Sequence, residues 1–166
     1  MSTFAFVMSA CFCLTLASTA ARAECVDPPG QGVDWTRCYF DGRSFLEVDL
    51  SNARLKDATF SRGNLSASRL TGADASRAKF IYAKLEGAVF DDARLREADF
   101  TNANLAGASL KGADLSRARM FRANLRNADF SGAKMRGLDL LEADLSGAVW
   151  SDGARKCAEG SIGQCR

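Results

Sequence analysis

The sequence contains no histidine, and it has only two residues each of proline, tyrosine and tryptophan among its 166 residues. Histidine is the commonest general base and the commonest side-chain ligand of metals, so its absence argues against most catalytic and metal centres. The chain also lacks a Gly-rich phosphate loop, a G-x-S-x-G elbow and a dinucleotide fingerprint. These absences predict a protein that is not an enzyme and that needs no cofactor and no metal.

Neither sign of charge dominates, because 22 basic and 20 acidic residues leave a formal net charge of +2. Loss of residues 1–23 would remove one Arg and no acid, and would bring the charge to about +1. Binding to nucleic acid usually needs a broad basic surface, and mimicry of nucleic acid needs an acidic one. The balance of charge therefore predicts no nucleic-acid partner.

The first 23 residues have the pattern of a cleaved secretory signal. A mostly apolar run extends from Phe4 to Leu16, and Ala21 and Ala23 supply the small residues of a cleavage site. The usual basic residue before the apolar run is missing. We predict a signal peptide over 1–23 and a mature protein that is periplasmic or secreted, with no stable insertion in the membrane after cleavage.

Two other interpretations of this leader are weaker. A membrane anchor would need a longer run, because a mostly apolar run of thirteen residues is too short to span the hydrocarbon of a bilayer. A lipoprotein cleaved before Cys11 would keep apolar leader sequence on the mature protein.

Large apolar side chains recur at every fifth position. Of the 21 positions counted in fives from Leu50 to Trp150, only Ala75 is not large and apolar. A second register lies two residues earlier, and it holds Ala at 17 of the 20 positions between residues 53 and 148. The exceptions in this second register are Gly63, Ser68 and Leu138. Such a period over about 100 residues indicates a repeat architecture.

Neither regular secondary structure accommodates this period. An α-helix advances about 100° per residue, so every fifth position drifts around its surface. A continuous strand alternates faces, so an odd spacing would send successive large residues to opposite sides. The small and large registers are two residues apart, however, and can both point inward from one short extended segment. The three remaining residues, which are mostly polar, must then round a corner.

The repeats resemble the A-(D/N)-L-x-x motif of the pentapeptide repeat family over about residues 38–151. The units that carry the resemblance include Ala58-Thr59-Phe60-Ser61-Arg62, Ala103-Asn104-Leu105-Ala106-Gly107, Ala113-Asp114-Leu115-Ser116-Arg117 and Ala143-Asp144-Leu145-Ser146-Gly147. The resemblance implies an all-β fold, a right-handed quadrilateral β-helix of about 5–6 coils with about twenty residues each. We therefore divide the mature chain into an N-terminal cap with Cys25 over 24–37, a β-helix over 38–151 and a disulfide-bearing tail over 152–166.

Columns of residues twenty apart should stack in such a coil at the strand spacing of about 4.8 Å. One inward column contains Phe40, Phe60, Phe80 and Phe100. An outward column alternates in charge through Arg54, Asp74, Arg94, Asp114 and Lys134. Because stacked opposite charges attract and like charges repel, this column should fix the register of the coils. Its carboxylates do not converge, which argues against a catalytic or ion-binding site there.

Four cysteines follow the leader, and an even number in an exported chain indicates disulfides. The four are Cys25, Cys38, Cys157 and Cys165. Of the three possible pairings, two would join opposite ends of the rod, whereas a disulfide needs Cα atoms within about 7 Å. The pairing Cys25–Cys38 with Cys157–Cys165 is therefore favoured. The same separation argues against a four-thiolate zinc site, and the spacings are not those of a C-x-x-C redox motif.

The face around the phenylalanine column carries the best candidate for a partner-binding surface. Aromatic and apolar residues beside Arg are enriched at protein interfaces. The candidate residues are Arg62, Ile81, Tyr82, Phe121, Arg122 and Leu141. The simpler interpretation is that isolated exposed apolar residues are common and carry no function.

The sequence thus favours a non-catalytic exported module that presents a rigid rod to an unknown protein or envelope partner, as a monomer. A second hypothesis comes from the resemblance, because some members of the family bind DNA gyrase and are thought to mimic duplex DNA. The export signal and the near-neutral charge depart from that pattern.

Overall fold

A computed structural model describes residues 25–166, and the predicted signal peptide lies outside them. These residues contain no helix and form a series of single-residue β-bridges separated by turns. All 20 parallel bridges join residue i to residue i+20, from Asp34–Arg54 to Asp129–Val149. Because a bridge occurs every five residues, each twenty-residue coil has four sides.

A tight turn at each corner produces this shape. In a representative corner, the backbone N–H of Ala53 donates to the carbonyl of Leu50 at 3.1 Å, and Asn52 has a φ of 58°. A positive φ recurs at every fifth residue from Gly32 to Gly147. A positive φ at the third residue is the signature of a type II turn, which reverses the chain sharply enough to start the next side.

The structure explains why Asp or Asn precedes so many of the large residues. In eleven repeats the side-chain oxygen of this residue accepts a hydrogen bond from the backbone N–H two positions later. Asp114, for example, accepts from the N–H of Ser116 at 3.1 Å. This Asx turn satisfies a donor that the corner leaves without a backbone partner.

The interior is filled by the two inward registers, as the period predicts. Every residue of the large register from Leu50 to Phe130 is fully buried. The rings of Phe60, Phe80 and Phe100 are stacked, with centroids 5.3 Å and 4.9 Å apart along the column. Phe90 meets the last two rings edge to face at 6.0 and 5.9 Å. The predicted phenylalanine column therefore forms a continuous aromatic stack along the axis.

At the N-terminal end the repeat geometry begins earlier than the motif, because the first bridge is at Asp34. Trp35, from the segment assigned to the cap, is 1% exposed and packs on Phe40 with ring centroids 4.4 Å apart. The predicted disulfide Cys25–Cys38 is present, with a Cα–Cα distance of 5.5 Å. It ties the residues before Trp35 to the first coil.

At the C-terminal end the tail folds back over the last coil. It forms antiparallel bridges at Val149–Lys156 and Asp144–Ile162, and the predicted disulfide Cys157–Cys165 closes it with a Cα–Cα distance of 4.8 Å. The tail pairs with two of the four sides. On the other two sides the last inward residues are only partly buried, and these are Met135, Leu138 and Leu140.

Candidate protein-binding site

All six candidate residues lie on one corner of the coil, which we call the apolar corner. Ile81, Phe121 and Leu141 occupy the second position of their turns and are separated by multiples of twenty residues. Arg62, Tyr82 and Arg122 occupy the next position, with φ of 58°, 57° and 55°. The fold therefore brings residues up to 79 positions apart in the sequence into two adjacent columns.

The corner exposes more apolar surface than the fold requires. The side chains of Tyr82 and Leu141 are 58% and 62% exposed, and Ile81 and Phe121 are half-buried. Tyr82 and Phe121 are two coils apart, which corresponds to about 10 Å at the usual strand spacing. A single partner segment can therefore contact both.

Tyr82 adopts a backbone conformation that its side chain disfavours. A left-handed φ costs an L-residue about 1–2 kcal/mol, and it is unusual for a bulky residue. Gly, which has no such cost, occupies nine of the 24 corresponding positions between residues 32 and 147. Packing does not explain Tyr82 either, because its ring is mostly exposed. Fourteen other non-glycine residues share this conformation at the corresponding positions, so the feature that distinguishes Tyr82 is its exposed aromatic ring.

Arg122 is held in place at the part of the apolar corner nearer the C-terminus. Its guanidinium carbon lies 4.7 Å from the centroid of the Phe121 ring, and its Nε donates to the Glu142 carboxylate at 2.6 Å. The hydrogen bond to Glu142 raises the pKa of Arg122 above its usual value. A guanidinium fixed over a ring is a preorganised planar contact surface. Arg62, one coil below Tyr82, is exposed.

The charged columns on the neighbouring sides pair along the rod, as predicted. Ion pairs between residues twenty apart include Arg54–Asp34 at 2.6 Å, Arg77–Asp57 at 2.7 Å, Arg94–Asp74 at 3.9 Å and Arg117–Glu97 at 3.7 Å. The Arg77 guanidinium donates two hydrogen bonds to Asp57 and holds the pKa of that carboxyl below its usual value. Because such pairs are exposed, each stabilises the fold by about 0–1 kcal/mol.

A surface hollow of about 300 Å³ lies beside these columns. Glu97 and Asp99 line it together with their ion-pair partners Arg117 and Arg119, at 3.7 and 3.6 Å. Among residues 25–166, no group of three or more acidic or cysteine side chains is arranged to hold a metal ion. The hollow is therefore an open part of the charged surface.

The carboxylates of the Asx turns should make the fold less stable at low pH. Hydrogen bonds from Ser51 and Gln31 lower the pKa of Asp49 to about 2, and those from Thr36 and Ser116 lower the pKa of Asp34 and Asp114. A carboxyl whose pKa is lower in the folded state stabilises the fold above its unfolded pKa, about 3.9, and loses that contribution as the pH falls through the folded value.

We therefore expect a constant melting temperature between about pH 8 and pH 5, followed by a decrease between about pH 4 and pH 2. The absence of histidine removes the side chain that would ordinarily titrate between pH 8 and pH 5. Thermal unfolding followed by circular dichroism at a series of pH values tests this. Asp49→Asn should reduce the acid dependence, and a step in melting temperature near pH 6 would contradict the assignment.

Comparison with known proteins agrees with the five-residue repeat. A profile described as pentapeptide repeats matches residues 64–96, 83–122 and 113–149, with eight copies. Together these ranges extend over 64–149, which is more than half of the chain. None of the curated proteins searched matches the chain significantly. Residues 25–166 include no helix that is long and apolar enough to cross a membrane.

Two solved structures are about one third identical to this chain. HetL, a pentapeptide repeat protein involved in heterocyst differentiation regulation in the cyanobacterium Nostoc, is 32% identical over 76% of this chain and 64% of its own, with a TM-score of 0.63. A pentapeptide repeat protein of the Arabidopsis thaliana thylakoid lumen is also 32% identical, over 76% and 77% of the two chains, with a TM-score of 0.30.

QnrB1, a plasmid-mediated fluoroquinolone resistance protein, is 22% identical over 71% of this chain and 63% of its own, with a TM-score of 0.45. This chain spans less than two thirds of the length of HetL and of QnrB1. The twenty-residue register and the likeness to HetL identify a right-handed quadrilateral β-helix. The profile match over more than half of its length shows that this chain belongs to the pentapeptide repeat family.

Proposed function

We propose that this protein is a non-catalytic binding module that presents the apolar corner to a protein partner in the periplasm or outside the cell. The observation that carries the proposal is the exposed aromatic ring of Tyr82. Ile81, Phe121 and Leu141 extend the apolar surface along the same corner. Exposed aromatic and apolar side chains next to Arg are the typical composition of a binding hot spot.

The two disulfides support the proposed compartment, because structural disulfides persist in oxidising environments and are rare in the cytosol. The secretory pattern of residues 1–23 agrees with this. Disulfide-linked segments at both ends of the coil also favour a monomer, since they occupy part of each end.

The alternative function, modulation of a type II topoisomerase by mimicry of DNA, has less support. A DNA mimic needs a continuous negative potential, whereas the net charge is +2 and the surface columns alternate in sign. The likeness to QnrB1 is too low to argue for a shared role. Purified protein should therefore leave the supercoiling activity of gyrase unchanged.

Affinity capture from the cell envelope and medium tests the proposed function. We expect a partner that the wild-type protein captures and that the variant Tyr82→Gly with Phe121→Ser does not. The Tyr82→Gly change also separates binding from folding, because glycine relieves the left-handed strain. It should leave the free energy of unfolding unchanged or raise it by up to about 1 kcal/mol.

Two exposed apolar residues away from the corner provide a matched control. Val26 and Leu46 are 81% and 51% exposed, and the variant Val26→Ser with Leu46→Ser should capture the same partner as the wild type. An identical set of captured proteins for the corner variant and the wild type would show that the apolar corner is not the binding site.

A further inference from the structure

The half of the apolar corner nearer the N-terminus carries positive charge that the fold does not neutralise. Arg62, Lys79 and Lys84 are all exposed, and none of them lies within 4.0 Å of a carboxylate in residues 25–166. Lys84 was not among the residues singled out from the sequence. Counting by twenty could have found it, because that register places it beside Asn64 and Asn104.

These three cations surround Tyr82. Lys79 and Lys84 lie on the same coil as Tyr82, on the two sides that meet at the corner. Arg62 lies one coil below Tyr82, at about the strand spacing of 4.8 Å. Tyr82 therefore has one cation on each side along its own coil and a third on the neighbouring coil.

Neighbouring carboxylates are engaged elsewhere. Asp99, which is bridged to Lys79, forms its ion pair with Arg119 at 3.6 Å. Glu86, on the same coil as Lys84, accepts a hydrogen bond from the side chain of Asn104. The side chains that stack directly above and below Lys84 are both Asn. The acids nearest in the register thus leave the three cations available to an external partner.

Cations outside the ion pairs also occur elsewhere on the rod, Lys56 and Arg69 among them, but at this corner three of them lie on the coil of an exposed aromatic residue or on the next coil. On the side that contains Arg54 and Arg94, the cations pair with acids twenty residues earlier, so that the surface is locally neutral. An uncompensated cluster of cations around exposed apolar side chains is complementary to a partner that is acidic and partly apolar.

We infer that the partner contacts the apolar corner through an acidic peptide segment that carries one large apolar side chain. This inference rests on the proposed function and names the chemistry of its partner. The apolar side chain packs on Tyr82 and Ile81, and carboxylates of the segment pair with Arg62, Lys79 and Lys84. The cations are spread around the ring rather than gathered at one point, which suits an extended peptide whose alternate side chains are about 6.4–6.8 Å apart.

A display library of random dodecapeptides, selected on the purified protein, tests this inference with a defined probe. We expect the enriched peptides to combine net negative charge with at least one aromatic or large aliphatic residue. A synthetic peptide of the enriched sequence should bind more weakly as the salt concentration rises. Its affinity should fall roughly tenfold or more for the variant Arg62→Ser, Lys79→Ser, Lys84→Ser.

Two further variants control for net charge and for charge type. Lys56, Arg69 and Lys134 are exposed on other sides of the rod, and changing these three to Ser removes the same charge. This control should retain the affinity of the wild type within about twofold. The variant Arg62→Lys, Lys79→Arg, Lys84→Arg keeps the charges at the corner and should also retain most of the affinity.

The possible outcomes separate the inference from the function on which it rests. Enriched peptides without an acidic bias, or equal loss of affinity in both Ser variants, would overturn the inference. Binding of heparin or of anionic lipid vesicles, with no acidic peptide enriched, would overturn it as well. If the partner captured from the envelope still depends on Tyr82 and Phe121 in these cases, the proposed function stands. If the capture does not depend on them, the proposed function fails independently.

Discussion

Replacing Phe80 with Ala is expected to lower the free energy of unfolding by about 3–5 kcal/mol. Phe80 is fully buried, and its ring contacts those of Phe60 and Phe100 in the stack with centroids 5.3 and 4.9 Å away. The parallel bridges at Lys79 hold the backbone in register with both neighbouring coils. The coil therefore cannot collapse into the space that the ring leaves, and the cavity adds to the lost burial. Equilibrium unfolding in urea, followed by circular dichroism, measures the effect.

The matched control is Tyr39→Ala, which removes an aromatic ring of similar size from a position that is 77% exposed. We expect a change of less than about 0.5 kcal/mol for this variant. A loss of less than about 1 kcal/mol for Phe80→Ala would mean that the aromatic stack does not contribute to stability in this way.

The second large effect is expected when the C-terminal tail is released. The variant Cys157→Ala with Cys165→Ala opens a loop with a sequence separation of 8, which should lower the free energy of unfolding by about 2–3 kcal/mol. The tail carbonyls of Ser161 and Arg155 accept hydrogen bonds from the N–H groups of Leu145 and Trp150 at 2.8 and 2.7 Å. Loosening the tail therefore leaves the donors of the last coil without partners.

The loss should be local, because each coil of a solenoid contacts only its neighbours. Hydrogen exchange measured by mass spectrometry should show deprotection over residues 133–150, with the central coils unchanged. Removal of the Cys25–Cys38 disulfide provides the control and should deprotect the coil that contains Trp35 instead. Uniform deprotection of the whole rod in either variant would show that the ends do not unfold independently.

The fold could be predicted from the sequence because its rule is repeated in every coil. A large residue such as Leu105 and a small one such as Ala103 recur at fixed spacing, so no single exception obscures the pattern. The cysteine pairing was also predictable, since a rod keeps its two ends apart. Handedness was not contained in the period and came from the resemblance to the family.

Features outside the repeat were harder to predict. Trp35 lies five residues before Phe40 in the large register, so the period could have predicted its burial, but the motif that carries the family resemblance starts only at about residue 38. The antiparallel pairing of the tail had no counterpart in the repeats. At the binding corner the sequence placed Tyr82 outside the coil, but its left-handed backbone and the unpaired state of Lys84 depend on the geometry of the neighbouring coils.

The bridge register of i to i+20 also restricts how the length of this protein can change during evolution. An insertion of one residue would move every later large side chain out of the interior. An insertion of five residues would keep the interior but rotate the later part of the rod by one side, so that Phe121 would no longer be aligned with Tyr82. Only a whole coil of twenty residues lengthens the rod without rotation, and it would increase the separation of two aligned residues by about 4.8 Å. The distance between contact points on this surface can therefore change only in steps of one coil.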